Sequence, residues 1–144
     1  MGNVRKNLNA EKIRLSAEGV WYHGDVEITH QRTVDLFFKN IFLKNGCYFL
    51  SGEKNPVPVI VDDVAFFIRD ISEKNNKYVL KLSDGSEEKL DVRTVDVGAD
   101  HQLYCWIKSG SVKAKFERKV YYELMKKLTN ERLAKKRDWQ LIEL

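Results

Sequence analysis

This sequence predicts an α+β fold of duplicated strand-turn-helix units on mainly antiparallel sheet. Three observations predict it. Short apolar runs alternate with polar residues and end at Gly, Asn or Asp. Two stretches instead repeat their apolar residues at helical spacing. One segment recurs later in the chain. At 144 residues the chain is near the commonest domain size and removes roughly two thirds of its unfolded surface from water, so a core needs neither disulfides nor a structural metal.

Residues 1–12 are polar and patternless and read as a flexible N-terminus. Ile13-Arg14-Leu15 alternates, and 19–24 reads as a strand ending at Gly24. Ile28-Thr29 offers an apolar residue and an N-cap; behind it Val34, Phe37, Phe38, Ile41 and Phe42 set a helix over about 30–42. Lys44-Asn45-Gly46 is the stop signal, because Asn and Gly adopt the left-handed conformation that ends helices. Strands follow at 47–50, 57–61, 65–71 and 77–82, and Pro58, with no N–H to donate, favours an edge position. Ser83-Asp84-Gly85-Ser86 is a hairpin turn leading into 89–92. Strands at 102–107 and 112–116 precede a second helix over about 117–128, striped by Phe116, Val120, Leu124 and Leu128. Trp139-Gln140-Leu141-Ile142 reads as a final short strand.

The segment from Gly24 to Val34 aligns without gaps with that from Gly110 to Val120, with Gly, Val, Arg and Val identical. Both copies follow an aromatic-rich strand and open an amphipathic helix, so a duplicated unit is expected. The chain then divides into an N-terminal α+β half over 13–62 and a β-rich half over 63–144 that ends in a helix and a basic tail. Two similar halves would meet at an interface, where ligand pockets are common.

The formal net charge is +4, but 111–137 holds ten basic side chains against Glu117, Glu123 and Glu131, leaving the remainder acidic. That segment reads either as the solvated face of a long helix or as a nucleic-acid surface. No apolar run is long enough to span a membrane, and Met1-Gly2-Asn3-Val4-Arg5-Lys6 has no export or acylation signal, so no membrane partner is expected. Cys47 and Cys105 lie in apolar strand segments without metal-ligand spacing, which suits a reducing, cytoplasmic setting, with a bridge between them left open.

Catalytic and cofactor signatures are missing: there is no nucleophile elbow and no Gly-rich phosphate cradle. A non-enzyme without cofactor or metal is the expectation. Arg32 and Arg118, equivalent in the repeat and both at helix starts, suit a phosphate, since guanidinium forks and helix N-terminal amides both favour anions; packing or ion pairing is the alternative. Trp21 and Tyr121, with Tyr22 and Tyr122, are rings that could stack on a base or fill the core. His101 with Asp100 gives two ligand atoms without a third, or else a capped turn.

Several segments in fixed order carry a family resemblance: Gly-x-Trp-Tyr-x-Gly-x-x-x-Ile-Thr over 19–29, Val59 to Phe66, Asp100-His101-x-Leu103, and Ala114-x-Phe116-x-Arg118-x-x-Tyr121-Tyr122-x-Leu124. Together they span about residues 13 to 128, and the chain resembles the bacterial family catalogued as domain of unknown function 1285. The resemblance implies a duplicated two-part fold, a C-terminal half similar to pleckstrin-homology domains, and a ligand site between the halves with a signalling role. Where that family has Glu-Asp-Ala-Pro-Phe and Asp-His-Pro-Leu, this chain has Asp62-Asp63-Val64-Ala65-Phe66 and Asp100-His101-Gln102-Leu103, without the prolines. Asp63, in the first of these motifs, is read as holding a loop or accepting from a ligand. Trp21, Arg32, Asp63, His101, Arg118 and Tyr121 are thus the candidate ligand residues. A nucleotide-like small molecule is the first expected partner and nucleic acid on 111–137 the second.

Overall fold

The computed structural model describes residues 12–132. The expected final strand at 139–142, the residues 1–11 and the end of the basic segment lie outside them. The chain forms two compact units that divide between Ala65 and Phe66, each built on a mixed six-stranded sheet.

In the first unit, β1 (Ile13–Leu15), β2 (Trp21–His23) and β3 (Val26–Glu27) form one antiparallel meander. Helix α1 (Gln31–Asn40) leads to a second meander of β4 (Ile41–Lys44), β5 (Cys47–Leu50) and β6 (Val57–Val61). The two join through parallel pairing of β1 with β6, giving the order β3-β2-β1-β6-β5-β4. The second unit repeats this plan. Strands β7 (Phe66–Lys74), β8 (Lys77–Leu82) and β9 (Glu87–Lys89) form one meander; β10 (Asp96–Val97), β11 (Leu103–Ile107) and β12 (Val112–Phe116) form the other. Here β7 pairs parallel with β12, and helix α2 (Arg118–Arg132) follows.

The duplication therefore embraces the whole sheet, strand for strand. It reaches individual bonds. Asp62, just past β6, donates its N–H to the Leu15 carbonyl at 3.0 Å, and Glu117, just past β12, donates to Ile68 at 3.1 Å. Each of these acids also pairs with an arginine of the facing strand, Asp62 with Arg14 at 2.6 Å and Glu117 with Arg69 at 3.7 Å. The eleven-residue sequence match marks something more local. Gly24 (φ +63°) and Gly110 (φ +78°) both sit in hairpin turns whose second strand runs into a helix. One hairpin is the outer β2–β3 and the other contains the central strand β12. The helices thus follow similar hairpins at different places in the repeated plan.

Four local expectations are corrected. The first helix ends at Asn40, because Ile41 and Phe42 pair with Leu50 and Phe49 of β5; aromatic and β-branched residues serve either state. Asn45 (φ +51°) and Gly46 (φ +79°) supply left-handed conformation to the two-residue β4–β5 turn instead of a helix end. The N-cap of α1 is His30, not Thr29, with Nδ1 accepting from the Thr33 N–H. Pro58 lies inside the sheet rather than on an edge strand, one residue outside the β1–β6 ladder, which begins at Ile13–Val59, so its missing donor interrupts nothing there.

In the first unit Leu15, Trp21, Phe38, Ile41 and Leu50 are buried, and the Trp21 ring meets Phe37 and Phe38 edge-on at 5.2 and 5.4 Å. In the second, α2 packs along β7, and Val120 and Leu124 join Ile68, Leu80, Leu82, Leu103, Ile107 and Phe116 in a core where each large side chain contributes about 1.5–3 kcal/mol. A register shift between Ile68 and Asp70 resets the alternation of β7, which lets both Ile68 and Ile71 face inward. The β8–β9 turn is tied to the β11–β12 turn by Lys108 Nζ donating to Asp84 at 2.9 Å and the Lys108 N–H donating to the Glu88 carboxylate. Both cysteines are free, Cys47 exposed and Cys105 buried. Among the described residues no helix is long and apolar enough to cross a membrane.

Three outcomes are expected. Burial, reinforced by the Glu88 carboxylate, pushes the Cys105 thiol up to about 12, so iodoacetamide at pH 8 should alkylate Cys47 quickly and Cys105 only after denaturation; equal rates by mass spectrometry would contradict this. Burial also raises the Asp84 carboxyl, but hydrogen bonds from Ser86 and Lys108 outweigh it and hold its pKa below the usual range. A lowered folded pKa gives stability present above the unfolded pKa and lost as pH falls through the folded one. Asp84→Asn should therefore destabilise the protein at pH 7, with the gap in urea midpoint closing below pH ~4. Finally, among the described residues the Trp21 indole N–H has no hydrogen-bond partner. Trp21→Phe removes an unsatisfied donor along with volume and should cost well under the ~3–5 kcal/mol expected of Trp21→Ala; equal losses on urea unfolding would show the N–H to be paired.

Candidate functional site

The residues singled out from sequence occupy different environments. Trp21 lies in the first unit's core at 1% exposure, its ring enclosed by phenylalanines. Arg32 is exposed on the first turn of α1, and Asp63 is exposed beyond β6. In the second unit His101, at φ +59°, ends a 3₁₀ turn over Ala99–His101 on the way into β11. Arg118 opens α2 exposed, and Tyr121, half-buried, meets Tyr122 edge-on at 5.2 Å. Among the described residues no group of three or more His, Cys, Asp or Glu side chains gathers as for a metal.

A different set is assembled by the β11–β12 hairpin. Lys108, Ser109 and Gly110 all take positive φ in its turn, which fixes the register at Ile107–Val112. One face then carries Leu103, Cys105, Ile107, Val112, Ala114 and Phe116, all buried. Alternation sends Tyr104, Trp106, Lys113 and Lys115 to the other face. Across the ladder Trp106 pairs with Lys113 and Tyr104 with Lys115. Lys113 Nζ lies 4.7 Å from the Tyr104 ring centroid and Lys115 Nζ 5.7 Å, both within cation–π range.

The face is graded. Lys115 is 9% exposed, beside the buried Phe67 of β7, while Trp106 is 43% exposed. Tyr104 packs on Gly98, where an added Cβ would fall 2.7 Å from its Cε1, so glycine there lets the ring lie against the backbone. The 3₁₀ turn Val92–Thr94 buttresses the strand: Thr94 Oγ1 accepts from the Trp106 N–H at 3.1 Å and donates to the Asp91 carbonyl at 2.8 Å. Asp96 lies opposite Tyr104 and adds a carboxylate to the neighbourhood. The site thus offers flat rings for stacking and ammonium groups for an anion. Sequence reading placed both strands and counted both lysines in the basic segment without joining them; the signal was Tyr-x-Trp facing Lys-x-Lys across one short turn.

The first unit has a concave feature of its own. A cavity of about 270 Å³ is lined by Lys44, Asn45, Cys47, Phe49 and Pro56, beside the stacked pair of Phe42 and Phe49.

No family model matches this chain, and no curated protein matches it. Two solved structures do. A DUF1285 family protein from Shewanella baltica OS155 shares 20% identity at a TM-score of 0.64, over 82% of this chain and 93% of that one. Another from Silicibacter pomeroyi DSS-3 shares 18% identity at 0.65, over 80% of this chain and 68% of that one. At these identities the likeness shows the fold, and the α+β architecture of two similar halves described above is a fold found in the DUF1285 family that the sequence motifs resemble.

Proposed function

We propose that this chain is a non-catalytic binding module, suited to a sensing or signalling role, for an anionic ligand that carries an aromatic ring, of nucleotide type. The observation that carries the reading is the placement of exposed Trp106 and half-buried Tyr104 in register with Lys113 and Lys115 on one face. A nucleotide brings a ring and a phosphate together, and this face brings together a stacking surface and a cation. Stacking on an aromatic contributes ~1–3 kcal/mol per base. A lysine adds a point charge with three donors for phosphate oxygens. Arg32 and Arg118, the anion-binding candidates from sequence, belong to helix starts outside this face.

Quenching of Trp106 fluorescence by ATP, compared with adenosine and tripolyphosphate, tests the reading. ATP should bind more tightly than either fragment, and Trp106→Phe should lose most of the quench. Lys113→Ala should weaken ATP binding several-fold, as should Gly98→Ala by displacing the Tyr104 ring. Equal affinity of tripolyphosphate and ATP, or wild-type affinity in both variants, would sink it.

A further inference from the structure

We infer that the ligand of this face is a stretch of single-stranded nucleic acid rather than a lone nucleotide; the inference rests on the binding reading above. What carries it is the doubling. Tyr104 and Trp106 are two residues apart on β11, so they stand on one face about 7 Å apart along the strand. Each has a lysine directly across the ladder, Lys115 for Tyr104 and Lys113 for Trp106. One ring with one cation answers one nucleotide. Two rings on one face of a strand, with Lys113 and Lys115 on the strand beside them, answer two consecutive nucleotides joined by their backbone.

Charge supports a polyanion. The hairpin carries Lys113 and Lys115, while Asp96 of the neighbouring β10 lies across from Tyr104. Basic charge continues in sequence, since the segment from 111 to 137 holds ten basic against three acidic side chains. The Lys113 ammonium rests over the Tyr104 ring on a flexible stem, so it can swing to phosphate, while the nearly buried Lys115 contributes its charge to the face. Stacking of this kind accepts any base, so little sequence preference is expected.

The experiment uses the full chain, with fluorescein-labelled decathymidylate followed by polarisation and with thymidine triphosphate and a ten-base-pair duplex as competitors. The oligonucleotide should bind at least ten-fold more tightly than the triphosphate and be displaced poorly by duplex. Raising salt from ~50 to ~200 mM should weaken it roughly seven-fold if two phosphates are held, and Lys113→Gln should lower the logarithmic salt slope by about 0.7. Trp106→Ala, a change at an exposed position checked by its melting temperature, should weaken it five-fold or more. If the triphosphate binds as tightly as the oligonucleotide and still depends on Trp106, the single-strand inference falls and the nucleotide reading stands. If neither binds, both fall. Oligonucleotide binding untouched by Trp106→Ala and Lys113→Gln, or equal competition by duplex, overturns the assignment to this face.

Discussion

In each half the sheet closes through a single parallel pair, β1 with β6 and β7 with β12, and the remaining elements take their places from it. Parallel strands cannot be joined by a tight turn; the chain must travel back before the second can lie beside the first. Here the return journey is the rest of the half, so first and last strands pair only when everything between them is in position. The bond from Asp62 to Leu15 and its counterpart from Glu117 to Ile68 extend that closure by one step. The arginine–carboxylate pairs beside them, part-exposed, add at most about 1 kcal/mol each and act mainly on register. Long-range pairing of this kind postpones its reward until a large loop has been ordered, which makes closure the slow event of folding.

Much of this was written in residue patterns. The alternation of β1, β8 and β12, the short apolar runs of β5, β6 and β11 and the helical stripes of α1 and α2 are local, and local signals survive in sequence. What escaped was decided elsewhere in the chain. Ile41 and Phe42 satisfy a helical stripe as well as a strand, and β5 across the Asn45-Gly46 turn settles the matter. The two-residue strands β3 and β10 are too short to show a period. The sheet-wide duplication was hidden because equivalent strands share a plan and not their letters, whereas the one literal repeat joins hairpins that do not correspond in the sheet.

The same division applies to the binding face. Its rings and lysines each looked ordinary in sequence, an aromatic in an apolar strand and a charge in a basic run. Only register places Trp106 opposite Lys113 and Tyr104 opposite Lys115. Trp21, by contrast, drew notice as an aromatic in a family-like motif and is spent on the core, where its edges meet Phe37 and Phe38.

The parallel closure also has a mechanical side. When a half is stretched from its ends, the pull enters at the start of its first strand and at the end of its last, and these two strands lie side by side pointing the same way. Force along that line loads every hydrogen bond of the central ladder at once instead of peeling them singly. Each half is therefore built to resist tension along the chain, a property that the outer hairpins, free to unzip bond by bond, do not share.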